Sequence, residues 1–323
     1  MAVTTLPVHG GDLAAAEARW GRPADGWLDL STGINPWPYP LPPLPAEAWT
    51  RLPGAAEDAA LRAAAADAFA APGPDWVLPA PGSSALIQWL SRITPRARVA
   101  VVGPTYAEHA AAWHAAGHEV QEVASVADAA GAEVTVVVNP NNPDGRIVPA
   151  AELAALAGMV VVDEAFAEAV PGVSAVPLLR PGMVVLRSFG KFHGLAGLRL
   201  GFAVAAPATL APLAAALGPW AVSGPALAVG TAALADDGWA RATRAHLSSM
   251  ADRLDGSLTA GGLEIVGGTP LFRLARHDGA AALYDRLGRA GILVRAFADR
   301  PALLRFGLPA GQKELERLGG ALR

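Results

Sequence analysis

The chain has 323 residues and a mass of 32.9 kDa, which is enough for two domains of ordinary size. It is 52% hydrophobic and 17% charged, so it can form a large core and lacks the composition of a disordered chain. A net charge of −4 offers no positive field for nucleic acid or anionic lipid, and the absence of cysteine excludes disulfides, thiolate metal sites and cysteine nucleophiles.

The first residues contain no cationic stretch followed by an apolar run, so we expect no signal peptide and a cytoplasmic protein. The proline-dense stretch Asn35–Pro45 predicts an irregular connection. Short β-branched runs then alternate with alanine-rich stretches of helical length. We predict strands at Trp76–Leu78, Arg98–Val102, Val134–Val138, Met159–Val162, Met183–Leu186 and Leu200–Val204, and helices at Ser84–Ile93, Ala107–Ala116 and Pro149–Ala157. Strands that are apolar on both faces and flanked by helices predict a mostly parallel α/β sheet.

The stretch from residue 202 to 235 carries no charge and is long enough to cross a bilayer. Prolines and glycines interrupt it every few residues, and much of the rest is alanine. We therefore expect short packed elements there and no association with a membrane.

From about residue 236 the pattern changes to that of a smaller α/β domain. A long amphipathic helix, Gly238–Leu258, precedes predicted strands at Leu263–Val266, Leu271–Leu274, Ile292–Val294 and Ala302–Phe306, a helix at Ala280–Arg289 and a final helix. We expect three segments: 1–40 joining the smaller domain and covering the site, 41–215 forming the large domain, and 216–323 forming the small one.

Reactive side chains follow one predicted strand after another. Tyr106, Asn142, Asp163 and Lys191 each lie a few residues beyond an apolar run. Ligands of open parallel sheets bind outside the carboxyl ends of the strands. The sequence therefore predicts that these residues surround one crevice.

Lys191 stands out because the chain has only two lysines, Lys191 and Lys313, against 23 arginines. Arginine cannot lose its proton in a protein, so lysine is expected where the chemistry needs a neutral amine. Lys313 lies among charged residues, whereas Lys191 lies in an apolar stretch punctuated by glycine. Desolvation there would favour an amine that forms a Schiff base.

The motif Ser188-Phe189-Gly190-Lys191, with Arg199 eight residues after the lysine, resembles the cofactor-lysine signature of fold type I pyridoxal-phosphate enzymes. The chain is similar to the branch that contains histidinol-phosphate aminotransferases and L-threonine-O-3-phosphate decarboxylases, with five motifs in the family's order. The resemblance implies an aspartate-aminotransferase-like fold with a large, mostly parallel sheet domain and a small α/β domain. It also implies pyridoxal 5'-phosphate as cofactor and a homodimer.

By this resemblance, Lys191 binds the cofactor aldehyde and later moves the proton at the substrate α-carbon, while Asp163 pairs with the pyridine nitrogen. Asn142 would hydrogen-bond the ring oxygen, and Tyr106 would stack on the ring. The residues alone leave simpler roles open: a helix N-cap for Asp163, a turn residue for Asn142 and a half-buried aromatic for Tyr106.

The cofactor phosphate would be bound by residues that follow the first predicted strand, together with Ser188 and Arg199. Gly82, Ser83 and Ser84 lie between a strand and a helix, where free backbone N–H groups and the helix dipole attract anions. Plain serine capping of that helix is the alternative.

Substrate contacts are implied at both ends of the chain. Arg305 resembles the family's arginine for the α-carboxylate, and Arg295 is a candidate for a second anionic group, although either could form a structural ion pair. His9 and Ile34 lie in segments that resemble the decarboxylase branch, where they would cover the substrate and His9 would touch its phosphate. From the residues alone, His9 could equally be a surface histidine.

Two departures bear on the reaction. Most aminotransferases of this fold have a tyrosine at the position of Phe166, and many have one at the position of Leu52, so this chain lacks both hydroxyls. Phe166 fits the decarboxylase branch. We therefore expect decarboxylation of L-threonine O-3-phosphate to (R)-1-amino-2-propanol O-phosphate in cobalamin biosynthesis. The alternatives are an aminotransferase of a phosphorylated amine such as histidinol phosphate, and a non-catalytic binding protein.

Other chemistries find little support. Of His109, His114 and His118, only the last two share a helical face, and Gly117 interrupts it, so we expect no metal site. The glycine-rich stretches match neither the dinucleotide-binding nor the P-loop fingerprint, and there is no Gly-x-Ser-x-Gly elbow.

Overall fold

The computed structural model describes residues 10–323. The first part of the chain contains α1 (Leu13–Trp20), β1 (Leu28–Asp29), α2 (Glu47–Thr50) and α3 (Ala55–Phe69). The central part contains β2 (Val77–Ala80), α4 (Ser83–Ile93), β3 (Arg98–Val102), α5 (Glu108–Ala115), β4 (Glu119–Val123), β5 (Val134–Val138), α6 (Ala150–Ala155), β6 (Met159–Asp163), β7 (Met183–Ser188), α7 (Phe189–Phe192), β8 (Gly201–Val204), α8 (Pro207–Leu217) and α9 (Gly224–Leu234). The last part contains α10 (Asp237–Ala260), β9 (Glu264–Thr269), β10 (Phe272–Arg276), α11 (Ala280–Arg289), β11 (Ile292–Leu293), β12 (Arg295–Ala296), β13 (Leu303–Gly307) and α12 (Gln312–Leu322).

The chain divides into two compact units. The large unit comprises residues 38–241, and the smaller unit comprises residues 10–37 together with 242–323. The sequence-based division placed the second boundary at 215/216. In the structure α9 still packs against α3, because its buried residues Ala226 and Leu227 belong to the core of the large unit.

The large unit is built on a seven-stranded sheet in the order β2-β8-β7-β6-β5-β3-β4. All neighbours pair in parallel except β8, which is antiparallel to both β2 and β7. The predicted mostly parallel sheet is confirmed. Because successive side chains of a strand point to opposite faces, alternate residues of the apolar strands enter two separate cores, such as Val160 and Val162 in one and Val161 in the other.

Glycines end two of the predicted helical stretches. Gly117 follows α5 and has φ +87°, and Gly158 follows α6 and has φ +69°. Residues with a β-carbon are strained in this left-handed region, so glycine is the favoured residue just past a helix.

The smaller unit contains a four-stranded antiparallel sheet in the order β12-β13-β10-β9, together with the parallel pair β1 and β11. The N-terminal segment passes close to β13, where the N–H of Gly307 donates to the carbonyl of Leu30 over 2.6 Å. A β-carbon at Gly307 would lie 2.2 Å from the Thr32 carbonyl oxygen, so this approach requires glycine.

The uncharged stretch 202–235 forms β8, α8 and α9, with Pro212 inside α8. Among residues 10–323, no helix has both the length and the apolar character needed to cross a membrane.

Candidate active site

The register of the large sheet brings the polar strand ends to one edge. Strands β3, β5, β6 and β7 are consecutive parallel neighbours, so their carboxyl ends lie side by side. Gly201, the first residue of β8, pairs with both Ala80 of β2 and Ser188 of β7. The loops that follow β2 and β7 and the turn that precedes β8 therefore start from this same edge.

Asp163 is the last residue of β6 and is 3% exposed. Its Oδ2 accepts a hydrogen bond of 2.9 Å from Nε2 of His109, and its Oδ1 accepts one of 3.0 Å from the Ala165 N–H. The next helical turn begins only at Ala167 and has Phe166 at its N-cap, so Asp163 is not a helix cap. The carboxylate is held by two donors and has no cationic lysine or arginine among these partners.

His109 is a residue of this site that the sequence reasoning considered only as a metal ligand. It lies on α5, three residues after Tyr106, and is 1% exposed. Among residues 10–323, its Nδ1 has no hydrogen-bond partner, so its one described polar contact is with Asp163. The position of His109 one helical turn after Tyr106 was the signal in the sequence that could have placed it in the site. Its partner Asp163 lies 54 residues further along the chain, so the pairing itself could not be predicted.

Lys191 lies on the single turn α7, directly after β7, and is half-buried. Its Nζ is 5.8 Å from the centre of the Phe166 ring. Gly190 allows this turn to approach the next segment, because a β-carbon there would lie 2.8 Å from the Ala196 Cα. The ring of His193 stacks between those of Phe189 and Trp239, which fixes the far side of the turn.

An anion cradle is formed at the N-terminus of α4. Gly82 is the N-cap residue with φ +85°, and no side chain caps this helix, so plain serine capping does not occur. A β-carbon on Gly82 would lie 2.7 Å from Nη2 of Arg199, so the glycine admits the guanidinium to the helix end. Arg199 itself has φ +54°, and its Nη1 donates to the Ala196 carbonyl. Free helical N–H groups beside a guanidinium bind anions such as phosphate.

Tyr106 lies between the acidic and basic parts of the site. Burial, then Glu108 and Asp163, raise the pKa of Tyr106, whereas Arg199 lowers it. The phenol therefore stays neutral at physiological pH, and its ring meets that of His109 edge-on, with the ring centres 6.1 Å apart. Asn142 follows β5 in the loop beside β6, where the N–H of Asn139 donates to the Asp163 carbonyl over 2.8 Å.

A buried ion pair joins β6 to β7 next to these residues. Nε of Arg187 is 3.3 Å from Oε2 of Glu164, which also accepts from the Ser174 hydroxyl, and the Ala175 N–H donates to Oε1. Burial raises the pKa of Glu164, and Arg187 opposes that rise. Because adjacent strand residues alternate in direction, this pair faces away from Asp163 and Ser188.

The smaller unit carries its own cationic pair. Arg295 of β12 and Arg305 of β13 are direct register partners, so their side chains share one face of the sheet. Arg305 is buried, and its Nη2 donates to the Ser31 carbonyl over 2.8 Å. Burial and the neighbouring Arg295 lower the pKa of Arg305 to about 10, which still leaves it charged at neutral pH. Two cations that share one face would attract anionic ligands.

Ile34 lies partly buried in the smaller unit, shortly after a turn in which the Ser31 hydroxyl donates to Asp29 and accepts from the Gly11 N–H. His9 lies outside the described residues. Neither of the other two histidines near His109 joins it. His118 accepts from the Ala97 N–H at Nδ1 and donates to the Ser91 carbonyl from Nε2.

Comparison with known proteins agrees with this arrangement. Residues 46–318 match the family model described as aminotransferase class I and II. A threonine-phosphate decarboxylase of Pseudomonas aeruginosa is 46% identical over 97% of this chain and 96% of its own, and one from a Sinorhizobium species is 46% identical over 98% and 97%. A histidinol-phosphate aminotransferase of Sinorhizobium meliloti, solved in complex with pyridoxal-5'-phosphate, superposes with a TM-score of 0.80 at 23% identity, covering 99% of this chain and 95% of the other.

Proposed function

The chain belongs to the class I and II aminotransferase family, and on that premise we propose that it is a pyridoxal-phosphate-dependent decarboxylase of L-threonine O-3-phosphate. The product would be (R)-1-amino-2-propanol O-phosphate, which enters cobalamin biosynthesis. Two relatives of 46% identity over nearly the whole chain carry the name threonine-phosphate decarboxylase, and this likeness supports the substrate.

The observation that carries the proposal is the register pair Arg295 and Arg305. Like charges directly opposite each other on neighbouring strands are destabilising. Asp29 acts on Arg305 and Asp299 acts on Arg295 against this repulsion, and an anionic substrate would add to their effect. L-Threonine O-3-phosphate has two anionic groups, a carboxylate and a phosphate. We assign the carboxylate to buried Arg305 and the phosphate to the more exposed Arg295, with Ile34 and His9 as further substrate contacts.

The large unit fits pyridoxal phosphate. The cradle of Gly82, Ser83, Ser84 and Arg199, with Ser188 on the neighbouring strand, suits its phosphate. When bound, this cofactor supplies an aldehyde that condenses with amines and a ring that accepts the electron pair released at the substrate α-carbon.

Each remaining role falls to a side chain of the site. The amine of Lys191 would bind the aldehyde and would afterwards deliver a proton to the substrate α-carbon. Asp163, held by His109 and the Ala165 N–H, would keep a proton on the ring nitrogen by its negative charge. Asn142 would donate to the ring oxygen, and the Tyr106 ring would cover one face and exclude water.

The decisive experiment is an incubation of the purified protein and cofactor with L-threonine O-3-phosphate, with and without 2-oxoglutarate. We expect release of carbon dioxide and of the phosphorylated amino alcohol without the oxo acid. Turnover that requires 2-oxoglutarate would instead identify an aminotransferase. Absence of both products, with no cofactor-lysine bond trapped by borohydride, would identify a binding protein without this chemistry.

The proposal assigns the two arginines to different groups of the substrate, so their variants should differ in substrate preference. We expect Arg295→Ala to lower kcat/KM for L-threonine O-3-phosphate about tenfold, the effect of losing a charge-assisted hydrogen bond, and to reduce the preference over unphosphorylated L-threonine. Arg305→Ala should lower kcat/KM for both amino acids by about 10–100-fold and leave the preference unchanged. The measurement is steady-state kinetics on both substrates.

The matched control for these arginines is Arg276→Ala, which removes an exposed guanidinium of the adjacent strand β10 that pairs with Glu264. Arg276→Ala should change neither kcat/KM for L-threonine O-3-phosphate nor the preference over unphosphorylated L-threonine. Undiminished turnover of Arg305→Ala would remove the carboxylate assignment, and an unchanged preference of Arg295→Ala would remove the phosphate assignment.

We also propose that the protein is a homodimer that associates through an apolar face of the large unit. Trp49, Leu52 and Trp220 are 69%, 68% and 60% exposed, and Pro53 lines the two surface grooves to which Trp49 and Trp220 belong. Exposed apolar side chains clustered in this way mark association surfaces.

The double variant Trp49→Glu/Trp220→Glu should halve the mass measured by light scattering after size exclusion, because it places charges in the interface. Leu178→Glu, a charge at an exposed leucine of the same unit, is the control and should leave the mass unchanged. A wild-type monomer, or a double variant that stays dimeric, would contradict this surface. The expected cytoplasmic location stays a prediction that cell fractionation can test.

A further inference from the structure

Two loops of the large unit carry the side chains that we assign to the cofactor ring. The loop after β3 carries Tyr106, and the loop after β5 carries Asn142. These strands are parallel neighbours, so the loops leave the sheet side by side. The ring would need both side chains at fixed positions. Backbone hydrogen bonds such as that from the Asn141 N–H to the Arg146 carbonyl lie within one loop, so we ask which side chains join the two loops.

Asn141 connects the two loops. Its Oδ1 accepts a 2.6 Å hydrogen bond from the Thr105 hydroxyl, and its Nδ2 donates to the Pro104 carbonyl over 3.0 Å. The same Nδ2 donates to Oδ1 of Asp144 over 2.7 Å. Asn141 is 1% exposed, so these bonds do not compete with bulk water.

The loop that contains Asn141 is anchored at both ends. Asn139 donates from Nδ2 to the Val148 carbonyl over 3.1 Å and accepts at Oδ1 from the Val148 N–H over 2.9 Å, which closes the loop at its base. The Arg146 guanidinium reaches across to the Gly103 carbonyl over 3.2 Å. With both bases fixed, the Thr105–Asn141 bond joins the loops near their tips, one residue from Tyr106 and one residue from Asn142.

We propose that Thr105 and Asn141 are positioning residues that fix Tyr106 and Asn142 relative to each other and thereby set the affinity and the protonation behaviour of the bound cofactor. Neither needs to touch the cofactor. This inference rests on the proposed cofactor, because it concerns the side chains that would meet its ring.

Thr105→Val tests the link with little change of shape. The variant removes the hydroxyl donor and leaves the buried Oδ1 of Asn141 without it, so the loops should separate or rearrange. We expect the dissociation constant for pyridoxal phosphate to rise about fivefold or more. The pH midpoint of the visible absorbance of the bound cofactor should shift by about 0.3 units or more, since the hydrogen bond to the ring oxygen affects that protonation.

Thr105→Ser keeps a hydroxyl donor. It should therefore have the wild-type dissociation constant for pyridoxal phosphate and the wild-type pH midpoint of the cofactor absorbance. The matched control is Thr231→Val, which removes a hydroxyl that donates to the Leu227 carbonyl within α9 over 2.8 Å. It should lower thermal stability at most and leave both cofactor values unchanged. If Thr105→Val does not fold, Thr105→Ala removes the same hydroxyl and is judged by the same two values.

The inference is overturned if Thr105→Val behaves as Thr231→Val does, including a lower melting temperature with unchanged cofactor values. It is also overturned if Thr105→Ser is as impaired as Thr105→Val, because packing and not the hydroxyl would then matter. Failure of the wild-type protein to bind pyridoxal phosphate at all is a different result, and it would refute the proposed function itself.

Discussion

Lys191→Ala is expected to lower the decarboxylation rate of L-threonine O-3-phosphate by at least about 10³-fold, because the variant loses both the amine that would bind the cofactor and the group that would deliver a proton to the α-carbon after carbon dioxide leaves. The amine is half-buried, and its Nζ lies 5.8 Å from the centre of the Phe166 ring. The measurement is the single-turnover rate of carbon dioxide release with saturating cofactor.

The chain provides a matched control in its other lysine. Lys313 is exposed on α12, and Lys313→Ala should retain wild-type turnover. Borohydride reduction followed by peptide mass analysis should place the cofactor mass on the peptide containing Lys191 only. Modification of Lys313 instead, or a Lys191→Ala variant with more than a tenth of the wild-type rate, would refute the assignment.

Asp163→Asn is expected to lower kcat/KM by about 10²–10³-fold, comparable with the loss of a preorganised charge-stabilising group. Asparagine is nearly isosteric and can still accept from the Ala165 N–H, so folding should be retained while the negative charge beside the ring nitrogen is lost. Steady-state kinetics, with thermal denaturation to compare stability, measure the two effects separately.

His109→Gln supplies the graded comparison for Asp163. Glutamine has an N–H donor but not the rigid ring that delivers it to Asp163, so this variant should lose less activity than Asp163→Asn. Equal and large losses in both variants, accompanied by equal losses of thermal stability, would indicate that the pair supports the fold and not the chemistry.

Arg305 poses a physical question for decarboxylation, because a tight ion pair stabilises the carboxylate that must leave. The buried guanidinium lies over the Phe272 ring, with its central carbon 5.1 Å from the ring centre, and already donates to the Ser31 carbonyl. In the proposed role, its charge would orient the carboxylate while the apolar surroundings weaken the solvation of that group.

The predicted strands recur in the structure with small changes at their ends. Val134–Val138 and Arg98–Val102 have their predicted bounds, because a run of apolar β-branched residues in a fully buried parallel strand is a local signal. Strand β4 was not predicted, and its residues Glu119, Gln121 and Glu122 are exposed. β4 is an edge strand, with a neighbouring strand on one side only. It therefore contains exposed polar residues, and its composition resembles that of a loop.

The class of the sheet, the succession of polar strand ends and the singular position of Lys191 can be predicted from the amino-acid sequence, since they depend on neighbouring residues and on composition. The contacts of His109 with Asp163 and of Thr105 with Asn141, and the position of Arg295 opposite Arg305, are seen in the folded chain alone. Such pairs depend on which strands are neighbours and on their register. The periodicity of one segment records which face is buried but not which partner it meets, so long-range polar pairs become visible only in the folded chain.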